Sequence, residues 1–284
     1  MSLGKSVASI GGYTLISRIV GFVREILVAQ ILGAGPVSDA FFVAFKLPNF
    51  MRRIFAEGAF SASFVPLFSG ALVAEGNAEA KRFAEDAQAV LSATLFALTS
   101  LMIVFMPYVL HAIAPGFGSN AEQFNLAVEL ARITFPYLLF ISLVGLYGGV
   151  LNSLDRFTAY ASAPILMNLC MIFGITVLAD YSETPAHGLA YGVFLAGMAQ
   201  LLWLIYYAHK AGFFLRLRVP RLTPGVKKLL KNMLPVMLGA SVAQINLVVD
   251  MIIATHIENA VSYLNYADRI NELPLGVIGV ALGT

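Results

Sequence analysis

Charged side chains lie inside long apolar segments of this sequence, where they are costly unless they bind one another or a charged ligand. Seven of the 18 basic residues are placed in this way: Arg18, Arg24, Lys46, Arg52, Arg53, Arg132 and Arg269. The same segments contain carboxylates, at Glu25, Asp39, Glu57, Asp250, Asp268 and Glu272. Arginine stays protonated when buried and can hold carboxylate or phosphate oxygens through two parallel hydrogen bonds. The residue types therefore suit ion pairing, or anion binding, in surroundings of low dielectric constant.

Four of these charges form a stripe along one helix. At about 100° per residue, Asp39, Lys46, Arg53 and Glu57 fall within about 40° of one another. Arg52 points well away from the stripe, so its neighbour Arg53 is the better candidate for a shared polar surface.

Two further clusters lie near the ends of the chain. Arg18 and Glu25 share a helix face, while Arg24 is turned about 120° away from Arg18. Near the other end, Asp268 and Arg269 are neighbours. One explanation is that these ions pair with one another and serve only to hold helices together. A stripe of four charges with two clusters beside it instead favours a water-filled central cavity, because intramembrane charges normally face a polar interior.

The elements that must position these charges are transmembrane helices. The chain is 59% hydrophobic and 12% charged, whereas soluble domains are about 25% charged. A bilayer core requires about 20 mainly apolar residues for each helix. The sequence predicts an all-α, polytopic membrane protein with about eight spans, near residues 7–33, 37–73, 87–113, 127–152, 159–180, 186–208, 232–256 and 260–284.

The second predicted span is too long for one plain helix. It contains Pro48, Gly58 and Pro66, and proline inside a helix removes a backbone hydrogen bond. We therefore expect this span to be kinked or broken, with the freed backbone groups satisfied inside the protein.

The loops between these spans show a charge asymmetry. Those after odd-numbered spans contain no lysine or arginine. The N-terminus and the loops after even-numbered spans contain eleven: Lys5, Lys81, Arg82, Arg156, Lys210, Arg216, Arg218, Arg221, Lys227, Lys228 and Lys231. Positive charge favours the cytoplasmic side, so the N-terminus is predicted to be cytoplasmic. The basic stretch from His209 to Lys231 could contact nucleic acid or lipid headgroups, but a cytoplasmic linker that anchors the chain explains it more simply.

The chain also contains a weak internal repeat. Shifted by 226 residues, the first span aligns with the seventh, and Arg24 aligns with Asp250. Because six spans separate the copies, both would cross the membrane in the same direction, as in parallel transporter repeats. We predict a six-helix lobe over residues 1–210, a basic linker over 211–231 and the start of a second lobe over 232–284. The chain is expected to be a fragment of a longer protein, and Arg24 and Asp250 could approach across the cavity in one state.

Nothing in the sequence indicates catalysis, a cofactor or a metal site. There is no glycine-rich phosphate loop or nucleophile elbow, and the four histidines are scattered without metal-ligand spacing. Cys170, the single cysteine, lies in an apolar run and is interpreted as a packing residue.

The motifs of the chain resemble the MurJ (MviN) family. Ser38 to Asn49 reads SDAFFVAFKLPN and continues into Arg52 to Phe60, RRIFAEGAF. It is preceded by SRIVGFVR at Ser17 to Arg24, and further similar motifs are APGF at 114–117, ITFPY at 133–137, LN at 151–152 and YADR at 266–269. The resemblance covers the whole chain.

This resemblance implies a two-lobed transporter of the multidrug and oligosaccharide-lipid exporter superfamily, in the bacterial inner membrane. It implies transport of lipid II, the undecaprenyl-pyrophosphate-linked peptidoglycan precursor, without a cofactor. The expected partners are lipid II, membrane lipids and cell-wall synthesis or division proteins, and no nucleic acid is expected. The family's functional charges correspond to Arg18, Arg24, Asp39, Arg52, Arg53, Glu57, Asp268 and Arg269.

We expect three of these residues, Arg18, Arg24 and Arg269, to hold the pyrophosphate. Asp39 and Glu57 would pair with the arginines when the cavity is empty. The alternatives are a flippase for another polyprenyl-linked oligosaccharide and a drug or cation antiporter of the same superfamily. An antiporter of cations has less need of cavity arginines.

Overall fold

The structure is a computed structural model that describes residues 3–53 and 59–282, and the side chains of 11–53, 59–242 and 244–271. Within these residues it is all-α, without strands, as predicted. The helices are α1 Leu3–Ile31, α2 Pro36–Arg52, α3 Ser61–Ala74, α4 Asn77–Val104, α5 Met106–Ile113, α6 Ala121–Thr134, α7 Tyr137–Ser153, α8 Thr158–Thr176, α9 Pro185–Lys210, α10 Pro224–Ala254 and α11 Ala260–Leu282. Short 3-10 turns at Pro115–Ser119 and Leu178–Tyr181 complete the described elements.

In the long second segment the structure describes two helices, α2 and α3, on either side of residues 54–58, which lie outside the described residues, so the expected kink or break there stays a prediction. Pro48 lies inside α2 and Pro66 inside α3, so neither proline marks a helix end. Gly58, the third expected breaking point, lies outside the described residues.

Five stretches among the described helices are long and apolar enough to cross a membrane: Asn77–Val104, Ala121–Ser153, Thr158–Thr176, Pro185–Lys210 and Pro224–Ala254. They support the predicted multi-pass character, whereas the count of eight spans stays a prediction. In the most apolar 18-residue stretch of α10 only 6% of the residues are buried inside the protein, whereas residues nearer the two ends of the helix, such as Leu229 and Met251, are buried.

Small residues bring α8 and α9 unusually close together. A Cβ atom on Gly174 would lie 2.6 Å from the carbonyl oxygen of Gly188, and one on Gly192 would lie 2.8 Å from that of Cys170. Side chains at these positions would push the two backbones apart. In a membrane, where the hydrophobic effect does not bring helices together, close packing at small residues is one of the interactions that do. The α8–α9 pair is therefore closely packed along these glycines.

A ladder of aromatic rings holds α3 against its neighbours. Phe60, Phe64 and Phe68 are buried and stack one turn apart, with ring centroids 5.1 and 5.5 Å apart. Phe64 also stacks on Phe83 of α4 at 5.6 Å. A Cβ atom on Gly149 of α7 would lie 3.1 Å from the Phe64 ring, so a larger residue there would press on the ring where α3 packs against α7.

The segment between α9 and α10 is fixed to the first part of the bundle. Glu85 of α4 is 2% exposed, and its carboxylate accepts hydrogen bonds from the backbone N–H of Arg216 at 3.1 Å and from Nε of Arg218 at 2.5 Å. Phe213 and Leu215 are buried beside it. Because α10 begins at Pro224, the last part of the predicted linker is helical.

Beyond this segment, the last two helices contact the bundle at separate places. α10 packs against α3 and α4, whereas α11 packs against α2. The α2–α11 contact brings the charged cluster near the end of the chain towards the charges of α1 and α2.

Candidate functional site

Arg24 lies at the centre of the candidate site. It is 9% exposed, and its Nη1 donates to Oδ1 of Asn168 at 2.9 Å and approaches Sδ of Met171 at 3.4 Å. Asn168 is itself oriented by a bond from its Nδ2 to the carbonyl oxygen of Ser17, at 3.0 Å. The amide of α8 therefore fixes the direction of a guanidinium on α1.

Close approach of α1 and α8 makes this contact geometrically feasible. A Cβ atom on Gly21, one turn before Arg24, would lie 3.2 Å from Nδ2 of Asn168. Within the described residues, Nε of Arg24 is buried and has no hydrogen-bond partner. A buried cationic donor without an acceptor is costly, so this atom is available to an anion that enters the site.

Glu25 joins Arg24 to the other end of the chain. Its carboxylate forms a short ion pair with Nη2 of Arg24 and lies 3.4 Å from Nε of Arg269 on α11. One acidic group thus sits between two guanidinium groups from helices that are far apart in sequence. The cavity beside them has a volume of about 20 Å³ and includes Phe41, Phe45 and Asn265 in its lining. This space is large enough for a water molecule but not for a pyrophosphate, while the Arg269 side chain on its other side is 44% exposed.

Asp39 has a different partner from the one expected. Instead of an arginine, the described residues that bond its carboxylate are the backbone N–H of Ser262, at 2.8 Å, and the Ser262 hydroxyl, in a short contact. Both residues are buried, at 2% and 0% exposed, and the Ser38 hydroxyl lies 3.1 Å from that of Ser262. Because Ser262 is in the first turn of α11, Asp39 places a negative charge at the positive end of that helix. The expectation that Asp39 pairs with a cavity arginine is therefore corrected.

Lys46 faces the helices near the other end of the chain. It is partly buried on α2, and the charges of Asp268, Asp250 and Arg269 act on it. Asp250 and Asp268 are both exposed on α10 and α11. Of the charge stripe of α2, Lys46 is therefore placed towards charged residues of α10 and α11, and Asp39 is bonded to the uncharged Ser262 at the start of α11.

The other predicted site residues are not part of this cluster. Arg18 and Arg53 are exposed, whereas Arg52 is partly buried and lines a second cavity of about 550 Å³ together with Tyr137, Tyr160 and Gln200. This second cavity shares no lining residue with the cavity beside Arg24. Arg52 therefore points away from the stripe, as its helical position predicts, and Glu57 lies outside the described residues.

Sequence reasoning missed two polar residues that organise the site, Asn168 and Ser262. Asn168 lies in the predicted fifth span, and a polar amide inside an apolar helix is itself a signal of a buried partner. Ser262 follows the predicted outer loop at 257–259, where a serine gives no distinctive pattern. Only the packing of α2 against α11 shows what it binds.

The fold and its buried charges define the class of protein first. Solved structures of transporters of the MOP superfamily share the fold over nearly the whole chain. One from Pyrococcus furiosus has a TM-score of 0.65 at 22% sequence identity, and the match covers 98% of this chain and 62% of that chain. The inward closed conformation of a lipid II flippase MurJ gives a TM-score of 0.75 at 30% identity, covering 94% of this chain and 55% of that chain. The protein therefore has the fold of a multi-pass membrane transporter.

The particular family follows from sequence. The family described as lipid II flippase MurJ matches residues 28–284, and the chain belongs to this family. A probable lipid II flippase MurJ of Rhizobium tropici is 47% identical over 287 residues, covering 100% of this chain and 54% of the relative. A lipid II flippase MurJ of Burkholderia cenocepacia is 38% identical and is covered to 56%. The chain spans about half the length of the curated relatives that it matches.

Proposed function

We propose that the full-length protein is a lipid II flippase that moves the undecaprenyl-pyrophosphate-linked precursor across the bacterial inner membrane by alternating access. Membership of the family and the names of its relatives support the substrate. The N-terminus would be cytoplasmic, as the distribution of lysine and arginine between the loops predicts. Cell-wall synthesis or division proteins would be its partners.

The observation that carries this proposal is the position of Glu25 between Arg24 and Arg269. A carboxylate between two guanidinium groups occupies the place that a pyrophosphate would take. Each phosphate offers several oxygens to the parallel N–H groups of an arginine, whereas Glu25 offers only two. The substrate would displace Glu25, gain the free Nε of Arg24 and draw Arg18 towards the headgroup.

The Asp39–Ser262 contact supports the transport cycle. Asp39 lies near the start of α2 and Ser262 near the start of α11, and both helices follow loops predicted to be on the outer side. The bonds between them would close the outer end of the cavity. Opening outward would require these bonds to break, at the same time as the arginine cluster releases its anion.

The test measures lipid II on the outer face of bacteria that are depleted of their own flippase. An externally added enzyme that cleaves lipid II reports the exposed fraction in cells supplied with the full-length protein, its Arg24→Ala variant or its Arg132→Ala variant. Arg132 is an exposed arginine whose Nε donates to the carbonyl of Ile103, so it is the matched control. Loss of charge-assisted bonds worth about 1.5–3 kcal/mol is expected to reduce flipping by Arg24→Ala by about 10- to 100-fold.

The outcomes separate the alternatives. Cleavage restored by the original protein and by Arg132→Ala, but not by a well-inserted Arg24→Ala variant, would support both the substrate and the role of the arginine. Equal cleavage in all three would refute the role of Arg24. No cleavage from the well-inserted original protein would favour a different polyprenyl-linked glycan, which would present the same pyrophosphate to the arginines.

A further inference from the structure

Three side chains that are remote in sequence meet between α6 and the start of α9. They are Glu129 on α6, Glu183 just before α9 and His187 in the first turn of α9. One ligand atom from each, an imidazole nitrogen or a carboxylate oxygen, lies within 4.8 Å of the other two. The spacing of histidines in the sequence gave no indication of a metal site, because 54 or more residues separate Glu129 from the other two.

His187 is held in a fixed orientation. It is 7% exposed, and its Nδ1 is 2.9 Å from the hydroxyl oxygen of Thr184. This contact leaves Nε2 directed at Glu129, whose Oε2 is 3.6 Å away. That separation is longer than a hydrogen bond, so the buried nitrogen points into the carboxylate pair without a close direct bond.

The charges of the cluster favour a bound cation. The carboxylates of Glu129 and Glu183 are brought together, and like charges at this distance repel one another unless a positive group lies between them. A neutral imidazole supplies no charge, and a protonated one balances only one of the two carboxylates. A divalent ion would balance both and would also bind the lone pair of Nε2.

We propose that Glu129, Glu183 and His187 form a Zn²⁺ site. Two ligands at about 2.1 Å from a tetrahedral ion are about 3.4 Å apart, close to the 3.6 Å between Nε2 of His187 and Oε2 of Glu129. A small rotation of the exposed Glu183 side chain brings the third ligand into place, and water completes the coordination. Imidazole favours zinc over the hard cations Mg²⁺ and Ca²⁺, which prefer shells made of oxygen.

The surroundings match a metal-bound histidine. In metal sites the imidazole nitrogen that does not bind the ion usually donates to an oxygen of the protein, which fixes the tautomer. Thr184 supplies this oxygen. The site would tie α6 to α9 at the outer ends of both helices, and it would be reached from outside through the half-exposed Glu129.

The test is a zinc titration of the full-length protein, purified in detergent without a histidine tag. Affinity is measured by competition with a fluorescent zinc indicator. We expect one site, with affinity reduced about 10- to 100-fold in Thr184→Val, which removes only the group that orients the ligand, and reduced further in His187→Ala, which removes the ligand itself. His111→Ala is the matched control, because His111 is an exposed histidine that packs on Phe124 and is expected to bind no metal here.

Glu129→Gln provides an independent variant that preserves the size of an exposed side chain. It is expected to weaken zinc binding at least tenfold without lowering the thermal stability of the metal-free protein. The proposal is overturned if the original protein binds no zinc, if His187→Ala and Glu129→Gln bind it as tightly as the original, or if Mg²⁺ and Ca²⁺ at equal concentration displace it. Absence of zinc binding would leave the cluster as an ion pair of histidine and glutamate, unchanged binding in the variants would place the zinc elsewhere, and displacement by Mg²⁺ or Ca²⁺ would refute a zinc site.

Discussion

Replacing Asp39 by alanine is expected to loosen the attachment of α11 to α2. The backbone N–H and the hydroxyl of Ser262, a fully buried residue, would both lose their carboxylate acceptor. The first turn of α11 would also lose the negative charge that its N-terminus favours. The contact is local, so the rest of the α1–α9 bundle is expected to keep its packing.

The size of the effect follows from these contacts. Hydrogen bonds to charged groups contribute about 1.5–3 kcal/mol each, and a charge at a helix N-terminus contributes about 0.3–1 kcal/mol. Removing the carboxylate also removes the cost of burying it, so Asp39→Ala is expected to lower the free energy of unfolding by about 2–4 kcal/mol. Asp39→Asn keeps one acceptor oxygen without the charge and is expected to cost about half as much.

The assay is a double-mutant cycle on the full-length protein in detergent. The free energy of unfolding is measured for the original protein, Asp39→Ala, Ser262→Ala and the double variant. The hydroxyl–carboxylate bond predicts a coupling energy of at least about 1 kcal/mol. Glu79→Gln, which changes an exposed carboxylate on α4, serves as a control for loss of charge and is expected to have little effect.

A coupling energy below about 0.5 kcal/mol would mean that the two residues act independently. The Asp39–Ser262 bonds would then not hold α11 in place, and the outer closure proposed from them would be refuted. A destabilisation by Asp39→Asn equal to that by Asp39→Ala would show that the charge, rather than the number of acceptors, supplies the interaction.

Two further predictions concern the packing of the chain. Glu85→Gln is expected to speed proteolytic cleavage of the segment between α9 and α10 several-fold, because the buried carboxylate that holds Arg218 loses its charge. A cleavage rate equal to that of the Glu79→Gln control would contradict this prediction. Gly192→Val is expected to destabilise the protein by about 1–3 kcal/mol in thermal unfolding, because its side chain would meet the α8 backbone. Gly70→Ala, at a helical glycine with open space around it, is the control, and an equal loss in both would mean that α8–α9 contact is not the cause.

The sequence indicated the class of fold because the constraint is local. Each apolar stretch must satisfy its own backbone hydrogen bonds in lipid, so length and composition alone predict helices. Pro48 and Pro66, two of the residues expected to break the span at 37–73, lie inside helices instead. Arg52 lies apart from the Arg24 cluster, as its helical position predicted, but it lines a cavity of its own, whereas Arg53, the residue preferred from the sequence, is exposed.

Partners across helices were not predictable from the pattern. The sequence identified Arg24 as a buried charge, but not its bond to Asn168, which depends on how α1 packs against α8. It identified Asp39 as well, yet assigned it to an arginine instead of to Ser262. Both contacts join residues more than 140 positions apart, and the periodicity of one helix contains no information about its rotation against another.

The amino-acid sequence by itself determined that this protein has buried charges in apolar helices, and its motifs determined the family. Only the tertiary structure decided which of those charges meet. It placed Glu25 between Arg24 and Arg269, separated Arg52 from them, and brought His187 to two glutamates. The physical reason is that the free-energy cost of burying a charge can be read from the residue type and the apolar segment around it. The partner that offsets this cost lies on another helix and depends on how the helices pack.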